Sequence, residues 1–85
     1  MSVAQMIHAR LTERLNPSSL EVLDESAAHA GHSGASETGE GSHVRVRIGS
    51  PLFTGVSRVQ RHRLVYDALQ DFIDQGLHAL AIEVI

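Results

Sequence analysis

This 85-residue sequence predicts an α+β fold in which helices pack on one face of a small mixed sheet. Three observations predict it. The stretch 43–48 alternates strictly between polar and apolar side chains, the period of a strand. The stretches 3–15 and 58–73 carry apolar residues at three- and four-residue steps, the period of a helix. The final stretch, 77–85, is almost wholly apolar and suits a strand covered on much of its surface. The resulting order is α-β-β-α-α-β.

Each element has a local reason. Ser2 and Gln5 have capping-box spacing, and Val3, Met6, Ile7, Leu11 and Leu15 then form one apolar stripe. Asn16-Pro17 stops that helix, because proline pushes its predecessor out of the α region. The segment 20–24 is β-compatible, with Leu20 and Val22 on one side. In the next strand Val44, Val46 and Ile48 face the core, while His43, Arg45 and Arg47 face away. Antiparallel pairing of these two strands is expected. Ser50-Pro51 and Gly55 punctuate the following connection, with Phe53 as its buried anchor. Ser57 and Gln60 repeat the capping-box spacing, so a helix starts at 58. Its stripe is Val59, His62, Val65, Tyr66, Leu69, Phe72 and Ile73, with a break expected near 61–62. Gly76 sits where a helix C-cap glycine belongs. The crossover then makes the last strand parallel to the second.

The length fits a single domain over 1–85, with one modest core drawn from a composition that is 42% hydrophobic. Between its first two strands, the segment 25–42 is rich in Gly, Ser and Ala and reads as a long flexible loop. A loop of that length in a small domain usually serves function. There is no cysteine, which removes both a thiol nucleophile and a thiolate metal site made by this chain alone. The N-terminus lacks the features of a signal peptide, and no apolar run is long enough to span a membrane, so a cytoplasmic protein is expected. The net charge is −3, yet five of the seven arginines lie in the acid-free stretch 43–66, where an anionic partner could meet one basic region.

Several segments resemble the BolA family, in its order and at its spacing. They are Asp24-Glu25-Ser26, a Gly-rich loop with His29, Gly41-Ser42-His43-Val44, Phe53-Thr54-Gly55, Gln60-Arg61-His62-Arg63-Leu64-Val65-Tyr66 and Leu77-His78-Ala79-Leu80. The resemblance covers nearly the whole chain. It implies a fold related to the class II KH domain, with a three-stranded mixed sheet. It also implies a non-enzymatic adaptor that binds a monothiol glutaredoxin and shares a bridging [2Fe–2S] cluster, in cluster trafficking or iron and redox regulation. Some bacterial members are described as DNA-binding transcription regulators of morphology and stress genes, which is the alternative reading.

Six histidines stand in the chain. His78 opens the last strand; by residue setting alone it is either a strand-end side chain or a metal ligand, and it matches the family's cluster ligand in the His-Ala-Leu segment. His29 matches the family position of a second ligand, with His32 in reserve. His29 and His32 also have the spacing of a zinc or nickel half-site, or are simply solvated. Two histidines can ligate one iron, and the other iron then needs thiolates from the glutaredoxin and glutathione. The isolated chain, expected to be a monomer, should therefore hold no cluster. His62 falls on the helical stripe as a core histidine or a motif residue, His43 begins a strand on its polar side, and His8 is on an exposed helix side.

Arg58, Arg61 and Arg63, with His62 between them, could contact nucleic-acid phosphates or an acidic partner. A chain of this net charge binds DNA weakly. No nucleophile–base constellation or phosphate loop appears, so no enzymatic activity is expected.

Overall fold

The computed structural model describes residues 2–26, 43–77 and 79–85. Helix α1 (Val3–Leu15) starts because the Gln5 N–H donates to Ser2 Oγ at 3.1 Å while the Ser2 N–H donates to Gln5 Oε1 at 2.8 Å, both halves of the capping box. It ends at Asn16, which adopts φ 44° and donates its N–H to the Thr12 carbonyl at 3.2 Å.

Strands β1 (Ser19–Asp24), β2 (His43–Gly49) and β3 (Ala79–Val84) form one sheet in that order. β1 runs antiparallel to β2, and β3 runs parallel to it, as the alternation and the crossover predict. Between β2 and β3 come a 3₁₀ turn (Pro51–Phe53), α2 (Arg58–Ala68) and α3 (Gln70–Asp74). Ser50 Oγ accepts from the Leu52 N–H at 3.1 Å and donates to the Leu15 carbonyl at 2.6 Å, joining this turn to the end of α1.

One core holds the layers together. Ile7, Leu11 and Leu15 of α1 meet Val44, Val46 and Ile48 of β2, and Phe53, Val65, Ala68, Leu69 and Leu77 close the cluster. Each fully buried Val, Leu or Ile side chain stabilises by about 1.5–3 kcal/mol relative to exposure. The opposite sheet face carries Glu21, Arg45, Arg47 and Glu83, joined by ion pairs. Among the described residues, no helix is long and apolar enough to cross a membrane.

Two expectations are corrected. The helical break falls at Leu69, not near 61–62. Nothing in Arg61-His62-Arg63 interrupts the turn, whereas the Leu69 N–H is shared between the Val65 carbonyl (3.2 Å) and the Tyr66 carbonyl (3.1 Å). That tightening buries Leu69 completely and brings Phe72 and Ile73 against the core. Second, Val59 is 63% exposed. Steps of three drift backward around a helix, so Val59 lies about 120° round from the core-facing Val65 at roughly 100° per residue. Of the expected loop 25–42, Glu25 and Ser26 follow β1 and are tied to β2 by contacts given below; residues 27–42 lie outside the described residues.

Candidate functional site

Two places in the fold gather residues with chemistry: the end of the sheet where β2 and β3 begin, and a cleft between α2 and β3.

At the first, Ser26 has no exposed surface. Its Oγ accepts from the His43 N–H at 3.0 Å and is 3.5 Å from the His43 carbonyl. The Glu25 N–H donates to the same carbonyl at 2.8 Å, and the Ser26 N–H donates to Asp24 Oδ1 at 3.0 Å. Arg45 Nε donates to the Glu25 carboxylate at 3.2 and 3.3 Å. These bonds tie position 26 to position 43, the two ends of the segment that contains His29 and His32. In the parallel register His43 stands opposite Ala79, about 4.8 Å across by strand spacing. Ala79 directly follows His78. His29, His32 and His78 themselves lie outside the described residues.

Histidine nitrogens are available in the sequence, but thiolates are not. Among the described residues, no group of three or more His, Asp or Glu side chains could hold a metal ion.

The basic stretch divides on folding. Arg45 and Arg47 point to the face away from the helices and are compensated there, Arg45 by Glu25 and Glu83, Arg47 by Glu83 and Glu21. The Glu83 carboxyl is held below its ordinary value, first by the hydrogen bond from Arg47, with the charges of Arg47 and Arg45 adding against partial desolvation. Arg10 forms a two-pronged pair with Asp71 (2.7 and 2.9 Å), bonds the Ala68 carbonyl and lies 5.1 Å from the centre of the Phe72 ring. Its hydrogen bonds hold the Asp71 carboxyl below its ordinary value.

Arg58, Arg61 and His62 come together with Ile82, Glu83 and Val84 around a cleft of about 370 Å³. Arg63 is exposed on α2 but does not line this cleft. Among the described residues, Arg58, Arg61 and Arg63 make no ion pair with a carboxylate. Arg61 Nε donates to the Val56 carbonyl at 2.7 Å, which anchors its side chain at the start of α2. His62 is half-buried at this rim, not in the core. His8 is exposed, as expected.

Sequence reasoning missed Ser26 and Tyr66. The Asp24-x-Ser26 spacing is that of an Asx-turn and could have marked the first. Tyr66 Oη, 3.3 Å from the Leu80 carbonyl, gave no separable signal, because its place in the helical stripe suited burial equally well.

Comparison with known proteins is consistent with this architecture. The family model described as BolA-like protein matches residues 11–85. An uncharacterized protein in the cobS 5′ region of Sinorhizobium sp is 51% identical over 84 residues, covering 98% of this chain and 89% of that protein. Protein BOLA1 of Arabidopsis thaliana, chloroplastic by name, is 42% identical over 80 residues, covering 93% of this chain and 50% of that protein. The chain spans only 21% of the SufE-like protein 1 of the same plant. The solved BolA domain of Arabidopsis SufE1 superposes with a TM-score of 0.85 at 44% identity, covering 99% of this chain and 91% of that one. With the sheet order, the helix order and the family motifs in agreement, the chain belongs to the BolA family.

Proposed function

We propose that this chain is a non-catalytic adaptor that binds a monothiol glutaredoxin and shares a bridging [2Fe–2S] cluster with it, in cluster trafficking or iron and redox regulation. His78 and His29 are its ligands, with His32 in reserve. The observation that carries the reading is the pairing of His43 with Ala79. The strand that follows His78 starts beside the strand that follows the segment of His29 and His32, and Ser26 fastens that segment's other end to the same place. Family membership supports the same assignment.

When bound, the cluster supplies one-electron redox chemistry and a transferable iron–sulfur unit. This chain contributes imidazoles that bind metal only when neutral, so acidification toward their pKa releases them. The thiolates come from the partner's cysteine and glutathione. The test is co-expression with a monothiol glutaredoxin in iron-replete cells. A brown heterodimer is expected, and His78→Ala and His29→Ala should each shift or bleach its visible absorption and circular dichroism. A colourless mixture, or spectra unchanged in both variants, would overturn the assignment.

A further inference from the structure

The free edge of β3 and the basic row on α2 form a second recognition surface. Among the described residues β3 is an edge strand, with β2 on one side only. The Ile85 N–H donates to the Ile48 carbonyl at 2.9 Å. In a parallel ladder a residue turns both backbone groups to the same neighbour and the next residue turns both away. Residues 79, 81 and 83 therefore face β2, while Leu80, Ile82 and Val84 turn their N–H and C=O groups outward. Tyr66 Oη donates to the Leu80 carbonyl at 3.3 Å and closes one end of that row. Ile82 and Val84 line the cleft walled by Arg58, Arg61 and His62. Arg58, His62 and Tyr66 follow one another at four-residue steps, so they form a single row alongside the strand.

We propose that this cleft takes an extended acidic peptide segment, which adds as a fourth strand along Ile82–Val84 and sets a carboxylate against Arg58 and Arg61. The spacing of outward N–H and C=O groups matches another strand, and strand addition to an open edge is a recurrent mode of peptide capture. Arg61 is already anchored through Nε, which leaves its terminal nitrogens for a two-pronged carboxylate contact. Charge separates a peptide from a nucleic acid. Glu83 lines the same cleft and stays ionised beside Arg47, so a continuous phosphodiester would meet a fixed negative charge. A peptide with its acid at the Arg58 end does not. The surface lies at the opposite end of β3 from His78, so the inference stands apart from the cluster reading.

The test is a titration of the ¹⁵N-labelled full chain with a capped peptide of alternating valine and glutamate. The Ile82 and Val84 amides should shift and slow in hydrogen exchange. Arg58→Glu combined with Arg61→Glu should weaken binding by at least about tenfold. Arg58→Gln, an exposed change on a helix that far-UV circular dichroism can verify as folded, should weaken it in the same direction. N-methylating alternate residues of the peptide should abolish binding. Unmoved Ile82 and Val84 amides would overturn the proposal, as would equal binding of a lysine-for-glutamate peptide. Protection of those amides by a short oligothymidylate but not by the peptide would overturn it in favour of nucleic acid.

Discussion

Replacing Ser26 with alanine should loosen the neck of the histidine-bearing segment at a measurable cost. The Ser26 hydroxyl has no exposure and takes the His43 N–H at 3.0 Å. Alanine keeps the Cβ and removes that acceptor. Leaving a fully buried amide without an acceptor costs about 1–3 kcal/mol, and the part-buried His43 amide should fall at the low end, about 1 kcal/mol, against a total of roughly 5–15 kcal/mol for a domain. For a chain of this size each kcal/mol lowers the melting temperature by about 4–8 °C. Far-UV circular dichroism is the right probe, since the chain has no tryptophan. In urea the midpoint should fall with an unchanged slope, because the surface exposed on unfolding is the same. The His43 amide should lose hydrogen-exchange protection more than the amides of Val46 or Ile48. Asp24→Ala, which removes the acceptor of the Ser26 N–H, should cost less because Asp24 is exposed. An unchanged midpoint in Ser26→Ala, with His43 protection intact, would refute the assignment of this hydroxyl as the fastening.

Other variants test the frame around the two surfaces. Gly49→Ala would set a Cβ 2.8 Å from the Ile85 carbonyl oxygen, a backbone clash that should cost about 1–3 kcal/mol and raise exchange at the Ile85 amide. Gly76 adopts φ 126° while Leu77 N–H bonds the Phe72 carbonyl at 2.9 Å, so Gly76→Ala should cost about 1–2 kcal/mol in thermal melts. Arg10 keeps the Asp71 carboxyl below its ordinary value of 3.8. The folded state therefore resists protonation more than the unfolded state, and this contribution is present above that ordinary value. It is lost as pH falls through the lower folded value. Stability measured from neutral to strongly acid pH should show Arg10→Gln closing part of its gap to the parent at the acid end. The remainder, from the Ala68 carbonyl and Phe72 contacts, should persist; a gap independent of pH would refute the ion-pair role.

What could be read from sequence was what is decided locally. The Ser2–Gln5 box, the Asn16-Pro17 stop, the alternation of 43–48 and the glycine at 76 each depend on a few adjacent residues, and each appears in the fold. Tertiary placement was harder. Val59 looked like core because three-residue steps mimic a stripe over short stretches, but the drift around the axis carried it into solvent. The break at Leu69 has no glycine or proline to announce it and arises from packing Leu69, Phe72 and Ile73 together. The arginines were legible as a group along the chain, but their division was not. Arg45 and Arg47 meet acids from Glu21, Glu25 and Glu83, which are near only after the three strands align. At the candidate cluster site, His29, His32 and His78 rest on motif resemblance, while Ser26 and the His43–Ala79 register come from the sheet.

The charged lattice on the sheet face opposite the helices has a consequence for how another molecule can approach it. Exposed pairs of this kind contribute little to stability individually, about 0–1 kcal/mol each. Stacking a second sheet onto that face would require drying Glu21, Arg45, Arg47 and Glu83 together, and their mutual attraction would not repay the lost hydration. Face-to-face stacking of two copies through this underside is thus disfavoured, whereas contacts at the strand heads or the outer border would leave its charges wet.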